Sequence, residues 1–322
     1  MSFGQKVNKA EITFGITLYR SKRNFSLRTK FLRQCINSIL GQKTNNYKIV
    51  IGNDNPNFPL NFKELNIKKN SKIFIVNHRK NLGEENNMNY LMRVSQTKWF
   101  MWLSDDDYLL PNFLKTVQYD LRKNYAVIYS NYLRSYSLKQ INRIFLNENL
   151  SQIYDTKNFH RDVLSRKIKI QGASGLINLK KLKKLKGIKT LGNSYGPWSD
   201  ILMALELSSL GKVKYFFERL LVVRVHEDSL SVNKNLNAFY SAKLDFIRYY
   251  INQFKFLDYR KNLYYFNIWF VHVVNLIEKN SELKILEKIK IYFNLKKNIF
   301  YEINLIHKIL IFLRLIKFFL KL

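Results

Sequence analysis

The sequence predicts an α/β protein: a mixed sheet flanked by helices, followed by a helical C-terminal region. Three observations predict it. Apolar and aromatic runs alternate with helix-period segments over the first part of the chain, as in strands joined by crossover helices. The buried-type run Trp99-Phe100-Met101-Trp102-Leu103 leads into three consecutive carboxylates, Asp105, Asp106 and Asp107. Charge therefore crowds the loop where a strand leaves a sheet, the edge at which α/β domains bind ligands. From about Asn233, Asp, Gly and Pro become sparse, and Leu, Ile, Phe, Tyr and Lys recur at helical spacing.

The elements follow in order. Glu11 to Thr17 reads as a strand and Ser26 to Leu40 as an amphipathic helix. Tyr47 to Ile51 is a short buried strand ending in the loop Gly52-Asn53-Asp54-Asn55-Pro56-Asn57. Lys72 to Val76 is a third strand, Glu84 to Ser95 a helix, and Lys98 to Leu103 a fourth strand. Pro111 suits the first turn of a helix reaching Arg122, and Ala126 to Tyr129 is a strand again. Residues 132–170 are polar, basic and irregular, and read as an insertion near the active face. A small-residue loop follows, Ile170-Gln171-Gly172-Ala173-Ser174-Gly175-Leu176. Pro197 to Leu210 reads as a helix, and Lys212 to Phe217 and Leu220 to His226 as two short strands. These readings divide the chain into a ligand-binding domain over 1–232 and a helical region over 233–322.

Composition narrows the function classes. A chain of 322 residues with 47% hydrophobic and 15% aromatic content is not disordered. Its single cysteine, Cys35, makes an internal disulfide framework impossible and fits a reducing compartment. The start, Met1-Ser2-Phe3-Gly4-Gln5-Lys6, has no apolar signal core, so secretion by that route is not expected. No apolar stretch approaches the roughly 20 residues of a spanning helix. With 55 basic against 23 acidic residues, a formal charge of +32, anionic partners are favoured. Against that background the aspartate triplet is a local exception. Like charges so close cost free energy unless a cation neutralises them, so the triplet reads as a seat for a divalent metal and, through it, a diphosphate.

The order of motifs resembles the inverting glycosyltransferases of family 2, of the Rossmann-like GT-A fold, over roughly residues 10–232. Phe14-Gly15-Ile16-Thr17-Leu18-Tyr19-Arg20-Ser21 resembles the family's first strand and its Pro-Thr-Tyr-Asn-Arg turn. Cys35-Ile36-Asn37-Ser38-Ile39-Leu40-Gly41-Gln42 is similar to the helix that follows. Val50-Ile51-Gly52-Asn53-Asp54-Asn55-Pro56 resembles the nucleotide-binding Asp-Asp-Gly-Ser loop. Asn81-Leu82-Gly83, with Asn86 and Asn89, resembles the Asn-x-Gly segment. Trp102-Leu103-Ser104-Asp105-Asp106-Asp107-Tyr108-Leu109-Leu110-Pro111 is close to the Leu-Asp-Ser-Asp-Asp block, with Ser104 where the first Asp is usual. Gly196-Pro197-Trp198-Ser199-Asp200 resembles the Glu-Asp catalytic segment, with Ser199 in place of Glu. Arg224-Val225-His226-Glu227-Asp228-Ser229-Leu230-Ser231 resembles the family's Arg-x-His-x-x-Ser-x-Ser ending.

The resemblance implies a metal-dependent, inverting hexosyltransferase that carries a sugar from a nucleotide diphosphate, UDP favoured, to a hydroxyl of a cell-surface glycan such as lipooligosaccharide or capsule. Asp54 is expected to accept an imide N–H of the base, with Thr17 and Tyr19 bracketing it and Arg79 near the base or diphosphate. Asp105 is expected at the ribose. Asp106, Asp107 and His226 are expected to hold Mg²⁺ or Mn²⁺, whose hard-oxygen preference suits one or two carboxylates plus phosphates and water. Asp200 is the expected general base, with Trp198, Ser199 and Gly172 lining the acceptor and donor-sugar pocket. Leu305 to Leu322 carries His307, Arg314, Lys317 and Lys321 near one helical face, a pattern suited to an anionic membrane interface. This places the enzyme in the cytoplasm, peripheral on the inner face of the membrane, with a lipid-linked acceptor; a homo-oligomer is left open. A non-catalytic sugar-nucleotide or glycan-binding protein is the alternative. Nucleic acid is not an expected partner, because no nucleic-acid module is recognisable and the acidic knot opposes it.

Overall fold

The computed structural model describes residues 11–44, 46–135, 150–191 and 198–226, with eight further positions between 245 and 286. The chain divides into two compact units, one formed by 1–159, 169–190 and 198–234, the other by 160–168, 191–197 and 235–322. The first opens with β1 (Ile12–Leu18), α1 (Phe25–Leu40), β2 (Tyr47–Asn53), a single turn α2 (Phe62–Leu65), β3 (Ile73–Asn77), α3 (Glu84–Val94) and β4 (Trp99–Ser104). β5 (Tyr108–Leu109), α4 (Phe113–Val117), β6 (Val127–Ser135), β7 (Ser151–Tyr154) and α5 (Thr156–Leu164) come next. β8 (Leu176–Asn178), α6 (Leu179–Lys184), α7 (Ser199–Ser208) and β9 (Val213–Arg224) complete the described elements.

Nine strands form one mixed sheet in the order β3-β2-β1-β4-β8-β6-β9-β5, with β7 also on β9. The half β3-β2-β1-β4 is parallel throughout. β8 then runs antiparallel to both β4 and β6. Parallel strands are covered on both faces and so read as continuous apolar runs. β1 and β4 obey this: Ile12, Phe14, Ile16 and Leu18 pack with Trp99, Met101 and Leu103. The buried stripe of α1, Phe31, Leu32, Cys35, Ile36 and Ile39, lies at the three-to-four-residue spacing of one helix face. Phe31 lies against His226 and Arg224, while Leu32, Cys35, Ile36 and Ile39 close over the same core. Cys35 is fully buried there, and burial pushes its thiol well above its ordinary range, so it is an inert packing group.

Three regions differ from the expected pattern. The helix expected over Pro111–Arg122 is broken into α4 and a 3₁₀ turn at Asp120–Arg122. The indole N–H of Trp99 and the ammonium of Lys98 both donate to the Leu121 carbonyl, which ties that segment to β4. The two strands expected over 212–226 are one strand, β9. Its register against β6 shifts on both sides of Asn131, which pairs with Arg219, and the irregularity takes up Phe217, Glu218 and Leu220. The described parts of 132–170, residues 132–135 and 150–170, are more regular than their composition implies. β6 continues to Ser135, β7 pairs with β9, and Tyr154 and Phe159 are buried. The expected helical region from 233 and the amphipathic segment 305–322 lie outside the described residues, apart from the isolated positions named above.

Candidate active site

The functional residues gather where β1, β2 and β4 end. Thr17 lies opposite Gly52 on one side and Ser104 on the other. Tyr19, Asp54 and Asp105 therefore leave the sheet at one edge. The backbone N–H of Asp54 donates to the Leu18 carbonyl at 2.9 Å. Asp54 Oδ1 accepts from the N–H of Leu82 at 2.7 Å, so this carboxylate, 3% exposed, anchors the Asn81-Leu82-Gly83 turn. Tyr19 is half exposed beside it, and Arg79 is exposed after β3.

Two side chains missed in the sequence reading stiffen this edge. Arg20 is fully buried. Its guanidinium donates to Glu64 (2.9 Å), Thr29 (3.1 Å) and the carbonyls of Phe58 (3.0 Å) and Pro59 (3.2 Å). It also lies over the Phe25 ring. The loop after β2 is thus tied to α1 and α2 by a single charge-assisted hub. Asn87 of α3 donates to the Gly52 carbonyl at 2.8 Å and meets His78 Nε2 at 2.9 Å. A Cβ on Gly52 would fall 2.2 Å from Asn87 Oδ1, so only glycine permits this approach.

The aspartate triplet separates into distinct roles. Asp107 is buried at 2% exposure, and its Oδ1 accepts the backbone N–H of Arg224 at 2.9 Å. It braces β9 and is the least available of the three to a cation. Asp105 Oδ1 accepts from Arg28 Nη1 at 2.9 Å, and the same nitrogen lies 3.4 Å from Asp106 Oδ2. Asp106 Oδ2 is also 2.8 Å from His226 Nε2. Burial, with the charge of Asp106 added, pushes Asp105 up to about 8 even though Arg28 pulls the other way. Burial also holds Asp107 well above the usual carboxylate range. Arg28 is the further residue that sequence reasoning missed. It shares a face with Leu32, Cys35 and Ile39, and a charged residue on the apolar stripe of a helix is the signal that marks it.

A divalent cation is implied by the family, and the donor set fits one. Asp105 Oδ2 is buried without a hydrogen-bond partner among the described residues. Burial first, and the neighbouring Asp106 charge second, raise the Asp105 carboxyl, and a bound cation would oppose both. Among the described residues no three His, Cys, Asp or Glu side chains form a closed metal cage. Mg²⁺-type sites take one or two protein carboxylates, with phosphates and water supplying the rest.

Asp200 opens α7. Its carboxylate accepts backbone N–H groups of Gly172 (3.1 Å), Ala173 and Ile201. Burial nevertheless outweighs these bonds and raises its carboxyl above the usual range. Gly172 is fixed from the other side by Tyr129, whose hydroxyl donates to the Gly172 carbonyl at 2.8 Å. A Cβ there would meet the Asp200 backbone at 2.5 Å. Ser199 is buried, its hydroxyl unpartnered among the described residues. Trp198 takes a left-handed backbone, φ 82°, just before the helix. β8 runs antiparallel to β4, with Trp99 opposite Asn178, so the Gly172 loop preceding β8 emerges where β4 ends. Glu84, at the start of α3, is close enough to feel both Asp106 and Asp200. The acidic knot and Asp200 thus share one edge.

Residues 25–178 match the family model described as glycosyl transferase family 2. The fold is similar to that of S. aureus TarS 1–349 in complex with UDP-GlcNAc. The TM-score is 0.61 at 12% identity, over 90% of this chain and 80% of that one. It is also similar to S. aureus TarS, with a TM-score of 0.58 at 12% identity, over 92% of this chain and 50% of that one. At such identity the likeness is one of fold alone. No curated protein matches by sequence. On the family match and the shared architecture together, the segment 25–178 carries the glycosyl transferase family 2 signature, and the chain is built on the GT-A fold.

Proposed function

We propose that this chain is a metal-dependent, inverting glycosyltransferase. Its donor is a nucleotide-diphosphate sugar, UDP-linked by preference, and its acceptor a hydroxyl of a surface glycan such as lipooligosaccharide or capsule. The observation that carries the reading is the meeting of Asp106 and Asp200 at one sheet edge. One lies beside the Arg28 guanidinium and the His226 imidazole and is suited to a metal-bound diphosphate. The other is held by backbone N–H groups and carries no partnered cation on its carboxylate among the described residues. The UDP-GlcNAc bound by TarS supports a UDP donor by likeness of fold.

In this reading Tyr19 and Thr17 bracket the base, and the free oxygen of Asp54 accepts its imide N–H. Arg79 stands near the base or diphosphate. Asp105 takes the ribose, while Asp106 and His226, with Asp107 behind them, hold Mg²⁺ or Mn²⁺. When bound, the cation neutralises charge growing on the leaving diphosphate. Asp200 takes the proton of the acceptor hydroxyl as that oxygen attacks the anomeric carbon opposite the diphosphate. Its raised carboxyl keeps it a stronger base than an exposed aspartate. The backbone N–H groups of Gly172 and Ala173 fix its direction. Trp198 and the buried Ser199 hydroxyl line the sugar and acceptor side. Association with the inner membrane face is supported by the net charge of +32; no helix among the described residues is long and apolar enough to cross a membrane.

Calorimetric titration of UDP, GDP and dTDP with and without Mn²⁺ tests the donor half. UDP affinity is expected to rise on the order of tenfold or more with Mn²⁺. No gain for any of the three would remove the metal-diphosphate role.

A further inference from the structure

We propose that Arg28 is a built-in counter-ion that occupies the cation seat until a metal-diphosphate arrives, then transfers to the diphosphate. This deepens the proposed function and rests on it. Arg28 Nη1 lies between the two carboxylates, 2.9 Å from Asp105 Oδ1 and 3.4 Å from Asp106 Oδ2. Its side chain is 16% exposed and those of the aspartates 9% and 13%, so these charges meet largely out of water. Such a pair is hard to break by removing one partner alone, because a buried charge is left uncompensated.

A free divalent cation reaching this seat must displace the guanidinium. Arg28 would then lose its partners inside a partly buried cleft. A cation that arrives with a diphosphate brings replacement acceptors, and a guanidinium matches phosphate oxygens with two parallel N–H bonds. The present geometry leaves donors for them: Arg28 Nε is buried without a partner among the described residues, as is Asp105 Oδ2. The position of Arg28 also permits a transfer. It sits in the first turns of α1, behind the exposed stretch Lys22-Arg23, and a long side chain can swing without moving the helix. Arg28 therefore makes metal and diphosphate bind cooperatively and disfavours each alone. It is a catalytic residue by this account, since it touches the departing diphosphate.

The test is calorimetric titration of Mn²⁺ and UDP, separately and together, on wild type, Arg28→Gln and Arg28→Lys. Wild type is expected to bind Mn²⁺ alone weakly and Mn²⁺ with UDP tightly. Arg28→Gln is expected to bind Mn²⁺ alone on the order of tenfold better, yet Mn²⁺ with UDP on the order of tenfold worse. Arg28→Lys should keep the weak binding of free Mn²⁺ and recover part of the joint affinity, since it restores charge without the fork. Thermal melting of each variant shows whether it is folded, and Arg28→Lys carries the test if Arg28→Gln is not. If Arg28→Gln binds free Mn²⁺ no better than wild type while wild type shows metal-nucleotide cooperativity, Arg28 is no placeholder and the proposed function stands. If wild type shows no such cooperativity with UDP, GDP or dTDP, the proposed function falls and the inference with it.

Discussion

The two acidic centres of this cleft are stabilised in opposite ways. Asp105 and Asp106 meet side chains of other elements, the Arg28 guanidinium and the His226 imidazole. Asp200 meets backbone N–H groups of Gly172, Ala173 and Ile201. A side-chain counter-charge can leave and be exchanged for another. A backbone amide cannot, because its direction is set by the chain path. The first centre can therefore exchange partners and the second holds one orientation, the pair of properties that the proposed function asks of a diphosphate seat and a general base.

The comparison can be broken most sharply at Asp200. Asp200→Asn is expected to lower turnover by about 10²- to 10⁴-fold while leaving Mn²⁺-nucleotide affinity within about twofold. Steady-state rates paired with calorimetry on the same sample decide it; equal loss of both would merge the two centres into one. On the proposed function the same residue sets the acid limb of the pH profile. Its raised carboxyl means that activity falls as pH drops through a value above the ordinary aspartate range. Asn at this position removes that limb. The sign for stability is opposite: the folded state holds this proton more tightly than the unfolded chain, so ionisation costs stability as pH rises through the raised value.

Gly172→Ala comes next. The added Cβ falls 2.5 Å from the Asp200 backbone, so either the loop or the start of α7 must shift. A displacement of this size is expected to cost on the order of 10²-fold in kcat with donor affinity spared. Wild-type kinetics in this variant would show that the orientation of Asp200 is not set by the Gly172 loop. Tyr129→Phe is the gentlest probe. It deletes the bond to the Gly172 carbonyl, and denaturant unfolding should show a loss of about 1 kcal/mol with a small fall in kcat.

The parallel half of the sheet was legible because its physics is local. Continuous apolar runs such as Trp99–Leu103 and the stripe of α1 carry their own period. The edge loops carrying Asp54 and the aspartate triplet followed from where those runs end. The second half was less legible because it depends on distant partners. The single strand β9 exists only because β6 accommodates a register shift around Asn131. The short strand β8 is held by β4 and β6, not by its own sequence. Within the site, residue types at strand ends could be read, but pairings could not. Nothing in the triplet announces that Asp107 turns to the Arg224 backbone, nor that Arg28, 77 positions earlier, lies against Asp105.

Trp198 adopts a left-handed backbone that suits glycine better than any bulky residue. Such a conformation costs on the order of 1 kcal/mol or more, and glycine would relieve it. Placing glycine at position 198 would therefore relax the backbone and remove the indole beside Asp200 in one step, exchanging a feature of the site for a firmer scaffold.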